Sequence, residues 1–216
     1  MIASRLKELR SSLPENVSLV AVSKFHPVGK MMEAYAAGQR IFAESRPQEL
    51  AAKVPQMPAD VQWHFIGHLQ TNKLKLVLPY VSLVQSVDSL HLLTAISNWA
   101  VANGRVVDVL LELHLGAEET KQGFSEEEIL ELVSTPSMLD GIRIRGLMGM
   151  ATNTEDMTIV EQDFERIEKL FHKIQGMGLP SFTELSIGMS SDWPLAVRHG
   201  ATMVRIGTDI FGPREY

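Results

Sequence analysis

Eight short apolar segments, each followed by a turn and a helical or turn pattern, run through this sequence. Apolar segments of this length between amphipathic segments are typical of parallel strands that helices cover on their outer faces. The alternation predicts an α/β protein, a closed (β/α)8 TIM barrel with an extra helix before the first strand; an open doubly wound sheet is the alternative. The predicted strands lie near residues 17–22, 41–43, 62–66, 83–85, 106–113, 142–148, 184–187 and 203–206.

The whole chain, residues 1–216, is predicted to form one domain. Its length and its hydrophobic content of 45% are sufficient for one full core. No stretch rich in proline, glycine and serine divides the sequence, and no low-complexity segment interrupts it.

Composition excludes several classes of function. Cysteine is absent, which excludes a disulfide framework, a thiolate metal site and a catalytic thiol. The net charge of −6 argues against nucleic-acid binding, which needs a basic face. No apolar run approaches the ~18 residues of a membrane span. The first ten residues form a charged amphipathic segment without a signal-peptide core, so we expect a cytoplasmic location.

Lys24 follows a run of small or apolar residues at 19–22 that is typical of a buried strand. The carboxyl ends of parallel strands are where α/β folds place their ligand sites. A partly desolvated lysine at such a place can lose its proton near neutral pH and form a Schiff base with a carbonyl group. The alternative is a lysine that ends the strand and points into water.

Two turns that contain glycine follow the seventh and eighth predicted strands, at residues 186–192 and 205–209. Loops after strands seven and eight of such barrels commonly bind a phosphate. Glycine lets backbone N–H groups approach an anion closely, and serine and threonine hydroxyls add further donors. Each segment taken alone could be an ordinary tight turn. Because both occur after the strands that commonly precede a phosphate site, together they favour such a site.

Arg205 lies at the end of the eighth predicted strand, beside the second turn. It can bind the phosphate, or it can face a ring nitrogen, where a permanent cation would keep that nitrogen unprotonated. An ion pair with a neighbouring acidic residue is the alternative.

The first and eighth strands of a closed barrel are neighbours, so Lys24 and both turns are expected to face the same mouth. A ligand with an aldehyde at one end and a phosphate at the other fits this arrangement. Pyridoxal 5'-phosphate (PLP) carries both groups. Phosphosugars fit the same spacing, so the residues alone leave the two ligand classes open.

Motifs along nearly the whole chain resemble those of the pyridoxal phosphate homeostasis protein family, which is related to the barrel domain of alanine racemase. They are AVSK at 21–24, HFIGHLQTNK at 64–73, KQGF at 121–124, GLMGMA at 146–151, LSIGMSSD at 185–192 and VRIGT at 204–208. The resemblance implies a Schiff base between PLP and Lys24, with Arg205 near the pyridine nitrogen. It also implies Ser190, Gly207 and Thr208 around the phosphate, with Gly188 and Met189 shaping that turn.

The resemblance leads us to expect ten residues in contact with PLP. They are Lys24, Ser45, Met148, Ser186, Gly188, Met189, Ser190, Arg205, Gly207 and Thr208. One of them departs from the family pattern, because Ser45 stands where the family usually has asparagine after the second strand. A serine is shorter and lacks the amide, so the contact with the cofactor ring or its hydroxyl is expected to change.

The resemblance implies a protein of PLP homeostasis that holds the cofactor without catalytic turnover. An amino-acid racemase is the alternative, but racemisation needs acid–base groups on both faces of the substrate. Lys24 can serve one face, and the sequence offers no evident second base, since Tyr35 and Tyr80 lie in or beside helical segments and Tyr216 is terminal. The second domain of alanine racemases supplies that base, and we expect no counterpart of it in this protein. We expect no catalytic residue and no metal ligand, a monomer, and PLP-dependent apo-enzymes as partners.

Overall fold

Eight parallel strands form a closed barrel in which each strand pairs with the next and the last pairs with the first. The structure is a computed structural model and describes residues 1–116, 122–135 and 140–213. The strands are β1 (Ser18–Val22), β2 (Ile41–Glu44), β3 (Gln62–Phe65), β4 (Val81–Val87), β5 (Val107–Leu113), β6 (Ile142–Gly149), β7 (Glu184–Ser186) and β8 (Met203–Ile206). The predicted TIM barrel is therefore confirmed, and the doubly wound alternative is wrong.

Helices precede β1 and follow most of the strands. They are α1 (Ile2–Ser12), α2 (Val28–Ala36), α3 (Pro47–Lys53), α4 (Leu90–Ala102), α5 (Glu126–Ser134), α6 (Met157–Gln175), α7 (Trp193–Arg198) and α8 (Thr208–Phe211). A 3-10 helix, Thr71–Leu76, follows the third strand. None of the helices in the described ranges is both long and apolar enough to span a bilayer.

Local sequence signals account for where several helices begin and which face they bury. Ser125 and Glu128 form a capping box at the start of α5, and Ser89 caps α4 through the N–H of Leu92. The longest helix, α6, buries one apolar stripe at helical spacing. The stripe consists of Val160, Phe164, Ile167, Leu170, Phe171 and Ile174.

Successive residues of each strand face opposite sides, and both sides are buried. One side packs against the helices and belongs to the large core; the other fills the barrel interior. The inner cluster contains Val20, Val22, Ala43, Leu83, Leu110, Met148 and Met203. Burial on both sides explains why the strands appear in the sequence as continuous apolar runs.

The fourth strand is longer than the sequence predicts, because polar residues inside it are paired. Gln85 and Ser86 are almost fully buried in β4, and the Ser86 hydroxyl donates to the carbonyl oxygen of Gly67 at 2.6 Å. With their polar atoms bonded, these side chains do not end the strand, which continues to Val87.

Candidate functional site

Lys24 lies in a tight turn immediately beyond β1. The Ser23 N–H donates to the carbonyl oxygen of Ala43 at 3.0 Å, and the His26 N–H closes the turn by donating to the Ser23 carbonyl oxygen at 3.1 Å. Phe25 has a φ of 68°, a left-handed conformation that is uncommon for a bulky residue. Val20 and Val22 face the barrel interior, and Lys24, two residues beyond Val22, is half-buried.

The turn after β8 is in direct contact with β1. Ala21 pairs with Ile206, which places Gly207 beside the end of β1. A Cβ atom on Gly207 would lie 3.2 Å from the Val22 carbonyl oxygen. The backbone of this predicted phosphate turn thus lies against the strand that leads to Lys24.

The turn after β7 lies beside the turn after β8. The Arg205 N–H donates to the carbonyl oxygen of Gly188 at 2.9 Å. Gly188 has a φ of 93°, and a Cβ atom there would lie 2.6 Å from the Cβ of Ala196, so this position requires glycine. Both glycine turns are therefore placed together at the carboxyl ends of adjacent strands, as the sequence predicts.

A buried carboxylate shapes the first turn. The Asp192 Oδ1 accepts a hydrogen bond from the Met189 N–H at 2.5 Å, and burial raises the pKa of the Asp192 carboxyl. The Met189 N–H is therefore already hydrogen-bonded within the protein and is not available to a ligand. Ser190 is partly exposed and Thr208 is exposed, so their hydroxyl groups can meet a ligand at the mouth.

Arg205 lies inside the barrel, with only 4% of its surface exposed. Its guanidinium donates to the carbonyl oxygen of Ser186 at 2.7 Å, to the hydroxyl of Ser186 at 2.8 Å, and to the carbonyl oxygen of Gly149 at 2.9 Å. Burial lowers the pKa of Arg205 to about 10, although Glu112 and Asp192 oppose this shift. The side chain remains a cation at neutral pH and is held chiefly by neutral oxygens.

A chain of hydrogen bonds extends from Arg205 across the barrel. The Ser186 hydroxyl donates to the Gln85 side chain at 2.6 Å, and the Gln85 amide lies 2.8 Å from Nδ1 of His64. Burial lowers the pKa of His64 to about 4, so this ring is neutral at physiological pH. Ser186 is thus the link between Arg205 and the far side of the barrel.

Glu112 is a further buried ionisable group inside the barrel, with 6% exposure. Burial, followed by the nearby charge of Asp88, raises the pKa of its carboxyl to about 7, although Arg205 and His68 oppose this shift. Sequence reasoning missed both Glu112 and Gln85. The available signal was a polar residue within each apolar strand, at 107–113 and 81–87.

His68 is half exposed at the mouth, and its Nδ1 lies 2.9 Å from Oδ2 of the buried Asp88. These contacts hold His64 within β3 and His68 in the loop that follows it. Within the described ranges, no three histidine, aspartate or glutamate side chains are grouped as a metal would require.

The remaining predicted ligands lie at different depths. Met148 is 1% exposed and packs in the inner cluster, and Ser45 is half buried directly after β2. A Cβ atom on Gly67 would lie 2.1 Å from the Ser45 carbonyl oxygen, so these two segments are in backbone contact. Lys121 and Tyr216 lie outside the residues that the structure describes.

A profile of the alanine racemase N-terminal domain matches residues 1–215. A protein of Schizosaccharomyces pombe named pyridoxal phosphate homeostasis protein is 38% identical, over 99% of this chain and 90% of its own length. This chain belongs to the pyridoxal phosphate homeostasis protein family. Another family member with that name, from Aquifex aeolicus, is 37% identical over 96% of this chain and 92% of its own length. The resemblance seen in the sequence is thereby confirmed.

Solved structures similar to this chain have the same barrel fold. PipY of Synechococcus elongatus, solved without PLP, is 39% identical with a TM-score of 0.92, covering 98% of this chain and 100% of PipY. The PLP-bound structure of PipY is 38% identical with a TM-score of 0.89 and the same coverage. An alanine racemase of Clostridium difficile is 16% identical with a TM-score of 0.76, and the match covers 57% of that chain, so it shows a shared fold.

Proposed function

We propose that this protein binds PLP as a Schiff base to Lys24 and serves PLP homeostasis as a carrier that performs no catalytic turnover. Family membership supports the role in homeostasis, and PipY, at 38% identity over 98% of this chain, has been solved with PLP bound. The function of the carrier is to hold a reactive aldehyde and to release it to apo-enzymes that depend on PLP.

The contact between Gly207 and β1 is the observation that carries this proposal. The proposed amine and the proposed phosphate turn lie on hydrogen-bonded neighbouring strands, with a Gly207 Cβ only 3.2 Å from the Val22 carbonyl oxygen. Lys24 lies two residues beyond Val22. A ligand with an aldehyde and a phosphate can therefore reach both groups from one side of the mouth.

Each part of the mouth has a distinct task in this proposal. PLP supplies an electrophilic aldehyde, which the uncharged Lys24 amine attacks. The backbone of Gly207 and the hydroxyls of Ser190 and Thr208 bind the phosphate. The Met189 N–H donates to Asp192, so Met189 shapes the turn together with Gly188.

Arg205 is proposed to face the pyridine nitrogen. Its hydrogen bonds to Ser186 and Gly149 hold the guanidinium in place, so the cation is fixed before a ligand arrives. A permanent cation beside the ring nitrogen disfavours a second positive charge there and keeps the nitrogen unprotonated.

The positions of two tyrosines support a carrier over a racemase. Tyr35 donates a hydrogen bond to Asp60 at 2.6 Å in the loop before β3, and Tyr80 lies just before β4. Both lie at the amino ends of strands, opposite the mouth. Neither is placed to act as the second acid–base group that racemisation needs.

The deciding experiment is an absorbance spectrum of the purified protein with PLP, before and after borohydride treatment, followed by peptide mapping. We expect a Schiff-base absorbance that borohydride removes, and a label on Lys24. In the Lys24→Ala variant we expect that absorbance to disappear while weaker binding through the phosphate remains. A label on a different lysine would contradict the assignment, and a colourless protein that binds phosphosugars would favour that ligand class instead.

Catalytic turnover is tested separately. The PLP-loaded protein is incubated with L-alanine and other amino acids, and racemised or transaminated products are measured over time. We expect no steady turnover, and sustained product formation would make the protein an enzyme.

Sedimentation of the same preparation tests the proposed monomer, and fractionation of cells tests the proposed cytoplasmic location.

A further inference from the structure

A buried ionic network lies behind the turn that carries Lys24. Lys53, in the last turn of α3, places its Nζ 2.7 Å from Oε1 of Glu44, 2.7 Å from Oε1 of Glu49 and 2.8 Å from the carbonyl oxygen of Ser23. The Ser23 hydroxyl donates to the same Glu44 oxygen at 2.6 Å. One ammonium group thus joins β2, α3 and the end of β1.

The network is bonded to both residues that flank Lys24. Ser23 is bonded through its carbonyl oxygen and its hydroxyl, and the Phe25 N–H donates to Oε1 of Glu49 at 2.7 Å. The left-handed conformation of Phe25, with a φ of 68°, is unfavourable for a residue with a side chain, so it needs support from its surroundings. The hydrogen bond that the Phe25 N–H donates to Glu49 supplies a part of that support.

Stability alone does not account for such a network. Glu44 is fully buried and Lys53 is 6% exposed, and the second carboxylate oxygen of Glu44 is buried with no hydrogen-bond partner. Burial raises the pKa of the Glu44 carboxyl, while Lys53 opposes the shift. Apolar residues of similar volume often stabilise a fold as well as a buried ion pair does, whereas this network also holds Ser23 and Phe25 through directed hydrogen bonds.

We propose that Lys53 and Glu49 are positioning residues that hold the turn at 23–26 so that the Lys24 amine is presented to PLP. This inference rests on the proposed function, because it assumes that Lys24 is the amine that reacts. Glu44 acts indirectly, because its carboxylate fixes the Lys53 ammonium and the Ser23 hydroxyl.

Two substitutions of Glu49 give the sharpest test. Glu49→Ala removes the acceptor of the Phe25 N–H, and Glu49→Gln keeps a side-chain oxygen that can accept that bond. Each purified variant is mixed with saturating PLP, and the rate of covalent capture at Lys24 is followed by borohydride quenching and mass spectrometry. We expect Glu49→Ala to slow capture by about tenfold or more, and Glu49→Gln to retain most of the rate.

Lys53→Met tests the centre of the network, and Lys169→Met is the matched control. Lys169 also pairs with a glutamate four residues away, at 3.0 Å from Glu165, but it lies on the exposed face of α6. We expect slow capture in Lys53→Met and wild-type capture in Lys169→Met. Ile174→Ala, which removes a buried side chain from α6 far along the chain, shows what destabilisation alone does to capture.

Two further readouts separate positioning from binding and from folding. Amide exchange at Phe25 in the cofactor-free protein should accelerate in Glu49→Ala and stay slow in Glu49→Gln. Affinity for the alcohol analogue of PLP, which binds without a covalent bond, should change less than threefold. Wild-type capture in both Glu49→Ala and Lys53→Met would overturn the inference, whereas wild-type protein labelled at a lysine other than Lys24 would overturn the proposed function instead.

Discussion

One nitrogen of the Arg205 guanidinium lies 2.7 Å from the carbonyl oxygen and 2.8 Å from the hydroxyl oxygen of Ser186. Both residues are buried inside the barrel on adjacent strands. The backbone and the side chain of one serine therefore orient the cation together. The hydroxyl can be removed by mutation without touching the carbonyl, which makes this pair a direct way to test how firmly Arg205 is held.

The Ser186→Ala variant should be less stable by about 1–3 kcal/mol, because it leaves Gln85 and Arg205 each short of a buried hydrogen-bond partner. Urea unfolding measures this loss. Ser11→Ala is the control, since the Ser11 hydroxyl is exposed and bonds only within α1; it should change stability by less than about 0.5 kcal/mol. Equal unfolding midpoints for Ser186→Ala and the wild type would contradict the interpretation.

The Glu112→Gln variant should alter the pH dependence of stability. The folded-state pKa of Glu112, about 7, is above its ordinary value of 4.5, so the stabilising contribution is present below 4.5 and is lost as the pH rises through 7. The wild type should therefore lose stability relative to Glu112→Gln over this window. Urea midpoints across the window measure the difference, and parallel curves for the two proteins would exclude the shift.

His64 should show the opposite trend. Burial holds its pKa at about 4, below the ordinary 6.5, so its contribution to stability is present above 6.5 and is lost as the pH falls towards 4. An NMR titration should find the His64 ring neutral until the pH approaches 4. A ring that gains its proton near 6.5 in the folded protein would show that His64 is not buried in solution.

Two glycine substitutions should have opposite effects on stability. A Cβ atom at Gly67 would lie 2.1 Å from the Ser45 carbonyl oxygen. Gly67→Ala should therefore lower the free energy of unfolding by about 1–3 kcal/mol or more. Gly29 lies in α2 with nothing within 4 Å of a Cβ atom, so Gly29→Ala should be neutral or stabilising by up to about 1 kcal/mol. Thermal unfolding compares both variants with the wild type, and a stable Gly67→Ala would show that the segments after β2 and β3 are further apart at Ser45 and Gly67.

The Ser45→Asn variant introduces the asparagine that the family usually has after the second strand. If PLP binds as proposed, the longer amide should add a contact with the ring or its hydroxyl and slow PLP release by roughly twofold to tenfold, the value of one hydrogen bond. Transfer of PLP to a scavenging apo-enzyme measures the release rate. Ser45→Ala is the control, and it should release PLP at least as fast as the wild type.

The sequence by itself determined the barrel and the order of its parts. Eight apolar runs with intervening amphipathic segments allow few arrangements, and the Ser125 capping box and the stripe of α6 are signals between residues close together in the chain. The same local logic placed Lys24 after β1 and the glycine turns after β7 and β8. Family motifs then supplied the expected ligand.

Only the tertiary structure decided which buried polar groups meet. Ser186 bonds to Gln85 across 101 residues of sequence, and the Lys53 ammonium reaches Ser23 across 30. Strand alternation tells which side of a sheet a residue faces, but it does not tell which residue of a distant strand lies within hydrogen-bond distance. That pairing depends on the register and closure of the barrel, and a hydrogen bond is lost when its atoms move apart by less than the spacing of one residue.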